Sequence, residues 1–295
     1  MTKVRAAALF LILVHGAVLA AGLLAPYPYD EQHREYPYQP PGLFHVKQPG
    51  SAFPLGTDAY GRDVLSRLLY GGRVSLATGL LATVVSLGLG LILGTLAGFY
   101  GGWVDVLVMR TSDLLLALPW LYLLLAVRAA LPLYISPLQA FFLLVGILGS
   151  VGWVRPARMI RGVVLSARER GFVHAARGFG ASGIYLMRRH VLPLTYGTVI
   201  TQATVLAPQY LLAEVTLSFL GLGIGEPVPS WGNMLTEARQ YASLTQHIWM
   251  LAPGLVLVPI LFSYFTLGDY LRADRQNSEL PVPKVNIYRA GNQLN

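Results

Sequence analysis

The sequence predicts an all-α, polytopic membrane protein with six transmembrane helices and a short helical bend between the fourth and the fifth. Three observations carry this. Of the 295 residues, 54% are hydrophobic and only 12% charged, against about 25% charged in an ordinary soluble domain. The apolar residues fall in runs of about 20, the length that crosses a bilayer as a helix. The formal charge of +8 comes from clustered arginines, above all in the island 155–193, which interrupts the apolar pattern. With so much apolar sequence, that charge suits an anionic lipid surface. The interleaved aromatic and basic residues of a nucleic-acid reader are missing, so no nucleic-acid partner is expected. The chain has no cysteine, which excludes disulfides and thiolate metal sites.

The first span follows Lys3 and Arg5 and runs to about residue 25. Its apolar part is long for a cleaved signal peptide and right for an uncleaved span. His15 within it reads as a packing histidine. Residues 26–73 are polar, with acids and bases balanced. Asp63, Arg67 and Tyr70 share a helical face, with Asp63 and Arg67 spaced for an i,i+4 pair on a solvated interfacial helix. The second span, 74–97, is uncharged and rich in small residues that let helices approach closely in lipid. The third, about 104–127, opens with Asp105, Arg110 and Asp113, the last two spaced to neutralise each other. Pro119 should kink it or leave its backbone facing a cavity. The fourth runs from about 133 to 154, starting at Ser136-Pro137, with Gly146, Gly149 and Gly152 as close-packing positions. The fifth, about 194–222, contains Pro208 and Glu214. An acid in an apolar run must face protein or water, so Glu214 has either a buried hydrogen-bonding role or a place on a solute path. Residues 221–244 are too polar to span, with Trp231 and Met234 suited to the membrane interface. The sixth span, about 248–271, is interrupted by Pro253 and Pro259, and a polar tail without periodicity follows.

The bend has its own grammar. Phe172, Ala175, Ala176 and Phe179 recur at i, i+3, i+4, i+7, on one face of a short helix. Gly180 stands where a helix exit takes a left-handed residue, Ser182 can cap a second short helix, and Pro193 begins the next segment.

Positive charge on cytoplasmic loops puts the amino terminus, the island and the 272–275 arginines on one side. Four spans and then two spans separate them, so both termini are expected in the cytoplasm. The expected organisation is a first span with an extracytoplasmic segment over 1–73, a core of five spans over 74–275, and a cytoplasmic tail over 276–295.

Catalytic signatures are missing. The three lysines, Lys3, Lys47 and Lys284, do not follow a glycine, so the phosphate-cradling Gly-Lys-Ser/Thr loop is absent. No HExxH metalloprotease motif or Gly-x-Ser-x-Gly elbow occurs. The chain is not expected to be an enzyme.

His174-Ala175-Ala176, then Gly180, then Leu192-Pro193 resembles the coupling loop of ABC importer permeases, whose signature is Glu-Ala-Ala, three residues, Gly, and a later Leu-Pro. LGTDAYGRDVLSRLLYGGRVSL, MRTSDLLLALPW and LAEVTLSFLGLGIGEPVPSWGNMLTEARQY resemble the C-type permeases of the dipeptide/oligopeptide/nickel group, so the likeness covers residues 1 to about 275. It implies an inner-membrane subunit that forms a pathway with a homologous permease and works with two ABC ATPase subunits and an extracytoplasmic solute-binding protein. No cofactor is expected on this chain, since ATP and magnesium belong to the ATPases. The residues implied to meet an ATPase are Glu169, Phe172, Val173, His174, Ala175, Ala176, Arg177, Phe179 and Gly180. His174 departs from the family glutamate, and Glu169 is placed to supply the acidic contact instead. Di- and oligopeptides are the expected solutes. The competing reading is a stand-alone channel or proton-coupled transporter, with Asp113 and Glu214 as the ion- or proton-coupling groups.

Overall fold

The computed structural model describes residues 2–42, 52–132, 135–239 and 245–278. It is helical, and the only β pairing among the described residues is two isolated bridges, Gly42 with Phe53 and Thr57 with Asp63. The helices are α1 (Thr2–Leu19), α2 (Ala21–Leu24), α3 (Val64–Tyr100), α4 (Gly102–Ala117), α5 (Trp120–Ala129), α6 (Pro137–Gly152), α7 (Val154–Arg168), α8 (Gly171–Gly178), α9 (Gly183–Leu186), α10 (Leu192–Phe219), α11 (Trp231–Glu237) and α12 (Ala252–Ser278). A π-helical stretch, Met187–Val191, joins α9 to α10, and a 3₁₀ turn, Ile248–Leu251, leads into α12.

The chain is a polytopic membrane protein. Three helices, α1, α3 and α12, are long and apolar enough to cross a bilayer, and five spans result if the bent pairs α4–α5 and α6–α7 each count as one. α10, the expected fifth span, has 28 residues and so reaches about 42 Å at 1.5 Å per residue. Its threonines, glutamines and Glu214 keep it out of that apolar group.

α3 is the axis of the fold. Asp63 caps its start by accepting from the Ser66 amide and hydroxyl, both at 2.7 Å. Its small residues let neighbours come within backbone distance. A Cβ at Gly90 would sit 2.6 Å from Pro156 Cβ, and one at Gly94 2.5 Å from the Ala157 carbonyl oxygen. α7 therefore lies directly against the second half of α3. On another side, Leu76 joins Leu211, Val215, Trp231, Met234 and Ile260 in a core shared by α10, α11 and α12. α1 closes over α12, where His15 Nδ1 bonds the Leu11 carbonyl at 2.8 Å and Nε2 meets the Tyr264 hydroxyl at 3.2 Å. His15 is thus the packing histidine that the sequence suggested.

Pro119 breaks the third span as the sequence suggested, and α4 and α5 meet there at 92°. Several other expectations need correction. Arg110 and Asp113 do not pair, because α7 brings Arg158 to Asp113 instead. The first half of the arginine island is not a loop but α7 itself, bent 42° from α6. Gly149 and Gly152 do lie against Val85 and Tyr210, but Gly146 faces open space. Trp231 and Met234 point into the core, 1% and 4% exposed, and the Trp231 indole donates to the Leu68 carbonyl. Pro193 stands in the first turn of α10, as expected, but the chain does not break before it. The missing N–H is absorbed within a continuous helix, where the Leu192 amide reaches back five residues to the Met187 carbonyl in a π turn. The sixth span continues as helix to Ser278, and the rest of the expected tail lies outside the described residues.

Candidate coupling and transport site

The bend between α7 and α9 is held by few contacts. At its entrance, Arg168 donates to the carbonyls of Gly98 and Phe99 at 3.1 and 2.9 Å, which fixes the end of α7 on the end of α3. α8 follows, and its only buried side chain is Val173. Its exit is a full Schellman closure: the Gly180 amide donates to the Arg177 carbonyl at 3.0 Å, and the Ala181 amide to the Ala176 carbonyl at 3.1 Å. Gly180 has φ +83°, the left-handed conformation that a Cβ resists. Ser182 then caps α9, accepting from the Tyr185 amide.

This anchoring leaves one flank of α8 uncovered. Phe172 is 45% exposed and Phe179 93% exposed, with Ala175 exposed and Ala176 half-buried between them. Arg177 is exposed as well. Ala176, Phe179, Gly180, Ser182, Tyr185 and His190 line a shallow hollow beside it. His174 Nε2 stands 3.6 Å from Glu169, both in solvent. Glu169, expected to supply the acidic contact in place of the family glutamate, thus lies beside His174 and is exposed.

The two polar residues singled out inside the spans are both engaged. Asp113 is bound by Arg158. Glu214 is wholly buried, accepts from the Ser218 hydroxyl at 2.7 Å, and faces the hydroxyls of Ser75 and Ser230. It sits where α3, α10 and the start of α11 meet.

Two polar groupings were not foreseen. At the end of α3 remote from α8, Arg62 binds Asp58 at 2.6 Å, Glu226 at 2.8 Å and Glu237 at 3.1 Å. Arg67 binds Glu226 at 2.9 Å and approaches Asp58 at 3.6 Å. Both arginines are buried. The expected Asp63–Arg67 pair does not form, since Asp63 is spent on the helix cap and Arg67 on acids distant in sequence. Burial pulls the Arg62 guanidinium down, but Asp58, Glu226 and Glu237 outweigh it and leave its pKa raised. Burial, with Asp58 beside it, raises Glu237 despite Arg62 and Arg67. This network ties the segment before α3 to the segment around α11. The second grouping is a cavity of about 260 Å³ at the α4–α5 break, lined by Arg155, Gln209 and Tyr210 among apolar residues. Pro119, expected to kink the span or face a cavity, is in its lining; the polar residues around it were not singled out.

A family model described as "Binding-protein-dependent transport system inner membrane component" matches residues 90–276, from the middle of α3 nearly to the end of α12. The chain belongs to this family. The di/tripeptide transport system permease protein DppC of Pseudomonas aeruginosa is 38% identical over 266 residues, covering 90% of this chain and 84% of that protein. The glutathione transport system permease protein GsiD of Pectobacterium atrosepticum is 34% identical over 267 residues, again with 90% and 84% covered. A putative peptide permease protein of Brucella suis is 38% identical over 219 residues, 74% of this chain and 70% of the relative. This permease is a multi-pass transmembrane component of an ABC importer of the peptide-type group.

Proposed function

We propose that the permease carries di- and oligopeptides inward, shares its pathway with a homologous permease, and is driven through α8 by two ABC ATPase subunits that hold the ATP and magnesium. A solute-binding protein delivers the peptide on the extracytoplasmic side. In this reading the chain crosses the inner membrane six times, with α10 as the fifth span and both termini in the cytoplasm. The segment 1–73 supplies the first span and an outer segment, 74–275 the pathway and bend, and 276–295 a cytoplasmic tail. The peptide class is the one printed in the names of the relatives.

The observation that carries the coupling role is the uncovered flank of α8. Phe172, Ala175, Ala176 and Phe179 project from a basic bend closed at its exit and anchored by Val173. An exposed aromatic pair among small residues favours a protein partner. The small residues admit close approach, and a rigid contact there transmits motion without any reactive group. The proton-coupled alternative is disfavoured by Asp113 and Glu214, the first ion-paired and the second enclosed.

The test is Ala176→Arg in the assembled importer. The variant should insert in the membrane at the normal level and lose ATP-dependent peptide uptake. Uptake at the unmodified rate would overturn the coupling role of α8.

A further inference from the structure

α7 carries Arg155, Arg158 and Arg161 at three-residue intervals, so their side chains leave along one flank of the helix. α4 lies beside that flank and answers two of them. Arg161 forks onto both carboxylate oxygens of Asp105, and Arg158 reaches Asp113. Arg155 has no carboxylate partner among the described residues. Where the series would continue, α4 offers Leu115 and Leu116 and then ends at the 92° break. The cavity opens at this break, and Arg155 and Gln209 face it beside Tyr210. The Tyr210 hydroxyl is spent on Ser86 at 2.7 Å. The Gln209 amide has no side-chain partner among the described residues and is free to bond a guest.

The level of Arg155 in the bundle matters. Its neighbours Trp153 and Pro156 lie against Gly90 of α3, near the middle of the uncharged stretch 74–104. An unpaired guanidinium at that level is costly unless it faces a water-filled path or takes an anion. Arginine binds a carboxylate through two parallel N–H bonds, and the pair is stronger out of bulk water.

We propose that this cavity is a carboxylate subsite on the translocation pathway. Arg155 receives the C-terminal carboxylate of a passing peptide, and Gln209 hydrogen-bonds the peptide group next to it. The cavity volume suits one terminal residue rather than a whole peptide. Asp113 and Glu214, the acids first considered for the path, are replaced in that role by a base. The inference rests on the reading of the chain as a peptide permease.

The test uses the complete importer in phosphatidylcholine vesicles, with the other subunits free of reactive cysteine. This chain has no cysteine of its own, so Gln209→Cys provides one reporter. An anionic methanethiosulfonate should label it about tenfold faster than a cationic one, because the Arg155 charge attracts the first and repels the second. Arg155→Gln should bring the two rates to within about twofold, and Arg155→Lys should keep the preference. Trialanine should slow labelling, and trialanine amide should not. Equal rates for the two reagents would overturn the subsite, as would equal protection by the amide. Equal rates would mean that an acid of the partner permease already neutralises Arg155. Protection by acetate but not by trialanine would keep an anion site, reject the peptide carboxylate, and count against the peptide reading itself. Labelling needs no ATP, so failure of the coupling role of α8 would not alter its outcome.

Discussion

Gly94→Ala should loosen the joint between α3 and α7, and the structure gives the size of the effect. The added Cβ would lie 2.5 Å from the Ala157 carbonyl oxygen and 3.0 Å from Ala157 Cα. Both obstacles are backbone atoms, so no rotamer change relieves them and α7 must move outward. Overpacking of this kind costs about 1–3 kcal/mol, and a backbone obstacle places it near the upper end. Alanine returns about 1 kcal/mol in helix propensity, which leaves a net loss of about 2 kcal/mol. For a chain of this size that is a fall on the order of 5 °C in Tm, measured by intrinsic fluorescence on the detergent-purified importer. Gly88 lies on the same helix with nothing within 4 Å of a built Cβ. Gly88→Ala should therefore keep the propensity gain alone and raise Tm by a few degrees. A Gly94→Ala protein as stable as the parent would refute the close α3–α7 contact. Equal losses in the two variants would refute the idea that contact, rather than glycine itself, sets the cost.

Three further outcomes follow from the buried polar groups. Arg62→Ala takes from buried Asp58 its close partner at 2.6 Å and should cost about 3–5 kcal/mol in denaturant unfolding; Glu226→Gln, at a side chain 48% exposed, should cost less than about 1 kcal/mol. Glu214→Leu removes the acceptor of the Ser218 hydroxyl and should destabilise by about 1–3 kcal/mol, while Glu214→Gln keeps an acceptor and should stay within about 1 kcal/mol. Burial raises Asp63 above 3.8 and Glu237 above 4.5. The folded chain then holds protons that the unfolded chain has released, so stability should fall as pH rises through the window above those values. Tm measured against pH should show this slope, and Asp63→Asn with Glu237→Gln should flatten it.

The sequence made local grammar legible. Gly180, Ser182 and Pro119 act where spacing and backbone chemistry put them, because caps and breaks depend on a few adjacent residues. Charge pairing was read wrongly wherever the partner lay far away in the chain. The i,i+4 spacing of Asp63 and Arg67 is real, but Glu226, 159 residues away, takes the arginine. Arg110 and Asp113 share a helix, yet α7 delivers Arg158 across the groove. Trp231 and Met234 have the composition of interfacial residues. Only the close approach of α11 to α3, where the Trp231 amide donates to the Ser75 hydroxyl at 3.0 Å, tells a core position from a lipid-facing one. Arg155 was visible as one of three evenly spaced arginines, but that it lacks an acid could be seen only once α4 and α7 were side by side.

The π turn at Met187–Val191 leaves helix unbroken from Gly183 to Phe219. Under the coupling proposed for α8, a tilt entering there would travel along this helix, past Pro208, toward the far tip next to Trp231 and the Arg62–Arg67 ion network. On that reading, opening one mouth of the pathway is linked to a shift at the other. A helix that would pass a stroke across the bilayer would then also act as an interlock against a continuous leak.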